Sequence, residues 1–258
     1  MQWHFLDVTE HSGAANMQYD ERLARALQSG AGMPTVRLYR WRPWAISLGF
    51  NQDLSQINLQ RAREDGLDVV RRPTGGRAVL HAEELTYCVV MFAEGKTVLE
   101  VYNAISRALV RGLRRYGADV DFTKAQPDFR EHYRHLSSIP CFTASARYEI
   151  EWRGRKLVGS AQRRFRSFSN GREIVLQHGS ILLGPAHKRL VDYVILDDDA
   201  RSALKAELHE KTADLSSIIH RTVELDDLSE CLRKGFEEEW GISFVEGNGS
   251  LLSGEVDD

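Results

Sequence analysis

The stretch RRPTGGRAVLH, residues 71–81, sets a proline, a threonine and two glycines between runs of strand-forming residues. DVVRR before it and RAVLH after it carry the β-branched and aliphatic side chains that suit a pleated surface. Pro-Thr-Gly-Gly reads as a turn in which glycine reaches positive φ without steric cost and lets another molecule approach the main chain. The loop therefore separates two strands and offers backbone to a neighbour.

Outward from it, the chain alternates short strands and helices. WHFLDV reads as a first strand, residues 14–28 as an amphipathic helix, and TVRLYRW and WAISLGF as strands parted by a turn at Pro43. INLQRAREDG is a short helix ended by Gly66, and the dense apolar run LTYCVVMF is a central strand. The clearest helix spans Thr97 to Tyr116, with Val98, Val101, Tyr102, Ile105, Leu109 and Leu113 at helical spacing and Arg107, Arg111, Arg114 and Arg115 on the other face. RYEIEWRG and RKLVGSAQRRF form a hairpin about Arg153-Gly154, and EIVLQHGSILL adds a strand. Helices dominate from His187 on, and residues 247–258 read as a frayed end. The pattern predicts an α+β fold, a central mixed β-sheet flanked by helices. It divides into a core over residues 1–190 and a mainly helical portion over 191–258 packed on the same domain.

With 258 residues, 42% of them hydrophobic, the chain is long enough for a proper core. A net charge of −3 gives no reason to expect general nucleic-acid binding. The N-terminus lacks the pattern of a secretory leader and no run approaches a membrane span, which predicts a cytoplasmic protein without membrane or nucleic-acid partners. Three cysteines without close pairing fit neither a disulfide framework nor a metal site.

Cys88, inside LTYCVVMF, and Cys231, on an apolar helical stripe, behave as small hydrophobes. Cys141 lies in a loop-like setting after Ser-Ser-Ile-Pro, where a thiol is reachable. Lys156 stands beside the hairpin turn, before small residues that allow close approach. Taken singly, arginines placed like Arg71, Arg72 and Arg77 more often decorate a solvated strand than grip an anion, and His81 and His178 fit structural roles.

Taken together, RRPTGGRAVLHAEELTY followed by CF, YEI, KLVGSAQ and LQHGSIL resembles the cysteine-dependent octanoyltransferases of the lipoate/biotin protein ligase superfamily. The resemblance implies transfer of an octanoyl group from octanoyl-acyl carrier protein to a lysine of a lipoyl-carrier domain, such as the glycine cleavage H protein. It places Cys141 as nucleophile and Lys156 as the active-site lysine. It puts Arg72, Gly75, Gly76, Arg77, Ala78, Val79, His81, Gly159, Ser160, His178 and Gly179 at substrate-binding positions. No cofactor and no metal are implied. The alternatives are an ATP-dependent lipoate-protein ligase, an octanoyl amidotransferase between carrier domains, and a module that binds acylated carriers without turnover. An acidic carrier needs a positive surface, for which Arg107, Arg111, Arg114 and Arg115, or Arg163, Arg164 and Arg166, are candidates.

Overall fold

A computed structural model describes residues 2–124, 148–166 and 171–246. Cys141 and the segment 247–258 lie outside the described residues. The chain runs β1 (Trp3–His11), α1 (Gly13–Ser29), β2 (Thr35–Trp41), β3 (Ala45–Leu48), α2 (Leu59–Glu64), β4 (Asp68–Arg71), β5 (Val79–His81), β6 (Glu84–Phe92) and α3 (Val98–Tyr116). It continues through β7 (Asp121–Lys124), β8 (Tyr148–Trp152), β9 (Arg155–Arg166), β10 (Glu173–Leu182), α4 (Asp198–Lys211), α5 (Leu215–Ile219), α6 (Leu225–Trp240) and β11 (Phe244–Glu246).

Eight strands form one mixed sheet in the order β11-β1-β2-β6-β10-β9-β8-β7. β1 lies parallel to β11 and β2, while β2, β6, β10, β9, β8 and β7 pair antiparallel in succession. A second sheet of three strands runs β4-β3-β5. The two strands on either side of Pro43 thus belong to different sheets. The α+β architecture expected from the residue pattern is present.

β6 explains the layering. Leu85, Tyr87, Val89 and Met91 join the main core that also holds α3 and α6, whereas Cys88 and Val90 face a second core with Met17, Ala24 and Leu27 of α1. Side chains that alternate across a strand, apolar on both faces, require cover on both faces. α1 is capped by Ser12, whose side chain accepts from the Ala15 N–H, and stops at Gly30 in the left-handed region. α3 opens with a capping box between Thr97 and Glu100. Among the described residues, no helix is long and apolar enough to cross a membrane.

Candidate active site

Between the two sheets and α1 lies a narrow cavity of about 40 Å³. Met17, Tyr39, Trp41 and Val79 supply an apolar wall, and Lys156, Gly159, Ser160 and Ala161 of β9 another side. His178, Gly179 and Ser180 of β10, with Ser47, Arg72, His81 and Thr86, complete it. Of the candidate positions read from sequence, Arg72, Val79, His81, Lys156, Gly159, Ser160, His178 and Gly179 therefore meet around one space. Gly75, Gly76, Arg77 and Ala78 are not among its lining residues. Ala78 is buried in a separate apolar cluster with Leu48 and Leu80, and the other three form the loop itself.

That loop is held by its arginines. Arg72 is buried and donates to the carbonyls of Ser47 (3.0 Å), Gly75 (2.9 Å) and Arg77 (2.7 Å). Arg71 donates to the carbonyls of Gly49, Phe50 and Gln52. Both guanidiniums thus organise main chain, which corrects the reading of a solvated strand face. Gly76 has φ 99°, and a Cβ on Gly49 would stand 2.0 Å from the Gly76 carbonyl oxygen, so the turn needs glycine at both places.

His178 is fixed from two sides, with Nδ1 2.9 Å from Asp20 Oδ2 and Nε2 2.6 Å from Thr74 Oγ1. Asp20, fully buried, also receives Arg37 at 2.9 Å and the Tyr39 hydroxyl at 2.9 Å. Burial pushes the Asp20 carboxyl up, but the His178 hydrogen bond and the Arg37 charge outweigh it and hold the group below its ordinary range. Burial and the Asp20 charge push the Cys88 thiol far up, so Cys88 is the inert hydrophobe its setting in LTYCVVMF suggests. Burial raises the Tyr87 hydroxyl to about 12, and that hydroxyl lies 2.6 Å from Ser160 Oγ.

Lys156 is only 4% exposed. Its strand reaches the cavity through a register shift between Ile150 and Glu151 in the β8–β9 pairing, a bulge of the kind that re-aims side chains. The Lys156 carbonyl accepts from the Ala213 N–H at 2.9 Å, next to an isolated bridge with Thr212. The Thr212 hydroxyl lies 2.8 Å from His187 Nε2, so the segment around residue 212 braces this strand.

Six of the seven proposed docking arginines are engaged as follows. Arg107 and Arg111 pair with Glu239, Arg115 with Glu238 and Arg114 with Asp121. Arg163 donates to the Pro73 carbonyl at 3.1 Å with its guanidinium over Phe50, and Arg164 pairs with Glu173. Arg107, Arg111 and Arg115 serve the contact with α6, so that face is matched in charge within the molecule rather than a bare positive surface.

Asp20, Tyr39, Ser47 and Thr74 escaped sequence reading. One signal existed: Asn16 and Asp20, one turn apart, share the inward stripe of α1 with Met17, Ala24 and Leu27. Polar groups on a buried stripe require partners, and here they have Arg37 and His178.

Residues 12–237 match the family described as lipoyl protein ligase A/B catalytic domain. Octanoyltransferase LipM of Geobacillus kaustophilus is 37% identical over 252 residues, spanning 94% of this chain and 87% of the relative. The protein of the same name from Bacillus subtilis is 34% identical over 242 residues, spanning 91% and 85%. Among solved structures, a bipartite lipoate protein ligase from Thermoplasma acidophilum, described with its E2 lipoyl domain, superposes with a TM-score of 0.75 at 23% identity, covering 96% of this chain and 87% of that one. Lipoate-protein ligase A bound with ATP gives a TM-score of 0.73 at 22% identity, covering 96% and 89%. At those identities the structural likeness carries the fold alone.

Proposed function

Since the chain belongs to the lipoyl protein ligase A/B catalytic domain family and is an octanoyltransferase of lipoate biosynthesis by its close relatives, we propose the route its cargo takes. The octanoyl group comes from octanoyl-acyl carrier protein, rests as a thioester on Cys141, and passes to a lysine of a lipoyl-carrier domain such as the glycine cleavage H protein. Cys141 thiolate attacks the donor carbonyl, a new carbon–sulfur bond forms and the carrier thiolate leaves. One thioester replaces another, so no nucleotide is consumed. The acceptor amine then attacks the acyl-enzyme, forms an amide and releases Cys141. Exchange of a thioester for an amide drives the cycle.

The observation that carries this reading is a narrow, largely apolar cavity with the buried Lys156 in its wall. An eight-carbon chain suits such walls, since each methylene withdrawn from water contributes about 0.8 kcal/mol. Lys156 is assigned to stabilise the thiolate and later to shuttle a proton at the acceptor amine. Arg72, Val79, His81, Gly159, Ser160, His178 and Gly179 are assigned to the acyl pocket. Gly75, Gly76, Arg77 and Ala78 are assigned to support it as a loop. Because the Gly75 carbonyl is drawn in to Arg72, the trans peptide turns the Gly76 N–H away from that guanidinium.

Intact mass after incubation with octanoyl-acyl carrier protein, without ATP, tests the reading. The expected result is a single octanoyl adduct, labile to hydroxylamine and absent from Cys141→Ser. Acylation of a lipoyl domain only when ATP and free octanoate are supplied would establish the ligase instead. Transfer only from an octanoylated carrier domain would establish the amidotransferase, and a tight complex without transfer the binding module.

A further inference from the structure

The floor of the cavity is a row of residues in register across four strands. Tyr39 of β2 pairs with Thr86 of β6, Thr86 with Ser180 of β10, and Ser180 with Gly159 of β9. All four line the cavity. From β9 to β6 the side chains are small, so the row forms a trough, and at β2 it meets a tyrosine. Neighbouring strands lie about 4.8 Å apart, which makes the trough from Gly159 to Thr86 about 10 Å long. An extended chain advances about 1.2 Å per bond, a third of the rise of one residue, so the seven carbon–carbon bonds of an octanoyl group span about 8 Å. Ten carbons need about 11 Å and reach the wall at β2.

That wall has two fixed members and one pliable one. Trp41 donates from Nε1 to Thr86 Oγ1 at 2.8 Å and stacks on His81 with ring centroids 3.9 Å apart. The Tyr39 hydroxyl donates to Asp20 at 2.9 Å. Met17 joins both aromatic residues in one buried apolar cluster and lines the cavity with them. Its neighbours on α1 set its place at the β2 end. Asn16 donates to the Arg40 carbonyl at 3.0 Å, and Asp20 receives Arg37 at 2.9 Å. The helix is thus pinned to β2 on either side of Met17, whose own side chain is unbranched, turns about three bonds and is held by packing.

We propose that Met17 is the gauge of acyl-chain length, a proposal that rests on the function given above. With the acyl carbonyl on the β9 side, the strand that carries Lys156, the chain lies along the trough and the terminal methyl of an octanoyl group stops against Met17. Longer chains are turned away there, because Tyr39 and Trp41 are tethered and the methionine fills what space they leave. Shorter chains leave the far end of the trough unfilled and forgo the burial of the missing methylenes. Met17 therefore sets specificity by touching the distal end of the substrate.

The test uses the full chain. Wild type, Met17→Ala, Met17→Phe and Leu27→Ala are each given a lipoyl domain with equal amounts of octanoyl- and decanoyl-acyl carrier protein, or of hexanoyl- and octanoyl-acyl carrier protein. Intact mass then gives the ratio of acylated products. A ratio from competing donors does not depend on how much of a variant is folded. One methylene in an apolar pocket discriminates by about 10-fold or more. Met17→Ala, which empties the end of the trough, is expected to raise the decanoyl-to-octanoyl ratio by at least about 10-fold. Met17→Phe, which fills it, is expected to raise the hexanoyl-to-octanoyl ratio by a similar factor. Leu27→Ala truncates a side chain of the same helix and the same cluster that does not line the cavity, and it is expected to keep both wild-type ratios. An unchanged ratio in either Met17 variant overturns the gauge, and so does an equal shift in Leu27→Ala, which marks general loosening of the cluster. Should Met17→Ala fail to fold, the ratio in Met17→Phe decides. A wild type that moves no octanoyl group from the donor to the lipoyl domain would instead remove the underlying reading.

Discussion

Asp20 ties three site residues together from one buried carboxylate. It joins Arg37, Tyr39 and His178, and through His178 it reaches Thr74 in the glycine loop. Asp20→Asn keeps the shape but leaves Arg37 buried without its counter-charge, and breaking such a pair typically costs roughly 3–5 kcal/mol. Urea denaturation at neutral pH measures that loss; a midpoint equal to wild type would contradict the role given to the pair. The pH dependence has a definite sign. With the carboxyl held below its ordinary range in the folded state, its contribution is complete above the unfolded value and disappears as pH falls through the folded one. The acid limb of the stability curve should therefore be shallower in the variant. At this scale the sequence was partly legible. Val79, His81, Lys156 and His178 stand in motifs, whereas Ser47 lies in an ordinary strand, and its partners His81 and Arg72 are 34 and 25 residues away.

Elements were read more completely than their partners. The hairpin at Arg153-Gly154 shows in the sequence because both positions need positive φ, observed at 51° and 75°. The assignment of β2 and β3 to different sheets could not be read, since both are short and apolar and only long-range pairing separates them. The α3 arginines have the look of a solvated face, and the acids that match Arg107, Arg111 and Arg115 lie 123 to 132 residues further on in α6. A measurable consequence concerns His187, in the turn that follows β10. Burial pushes its imidazole down to about 4. Between the ordinary value near 6.5 and that point, the unfolded chain binds a proton that the folded chain refuses. Stability should fall as pH is lowered through this window. In His187→Gln the slope of unfolding free energy against pH should flatten there, and an unchanged slope would assign the dependence to other groups.

Across the whole molecule, the ends close on each other and leave the middle for chemistry. β11 pairs with β1, and α6 packs on α3, so the last described elements buttress the sheet on the side away from the cavity. The strands that line the cavity, β2, β6, β10 and β9, are consecutive in the sheet, and the three-stranded sheet brings Ser47 and His81 over them. This arrangement suits a protein that holds one acyl chain between its two sheets. A single-turnover chase tests most directly whether the octanoyl group travels on the enzyme itself. Enzyme loaded with labelled octanoate, freed of donor and mixed with a lipoyl domain, should deliver the label to the acceptor lysine at least as fast as steady-state turnover. Delivery slower than turnover, or label released only as free acid, would contradict it.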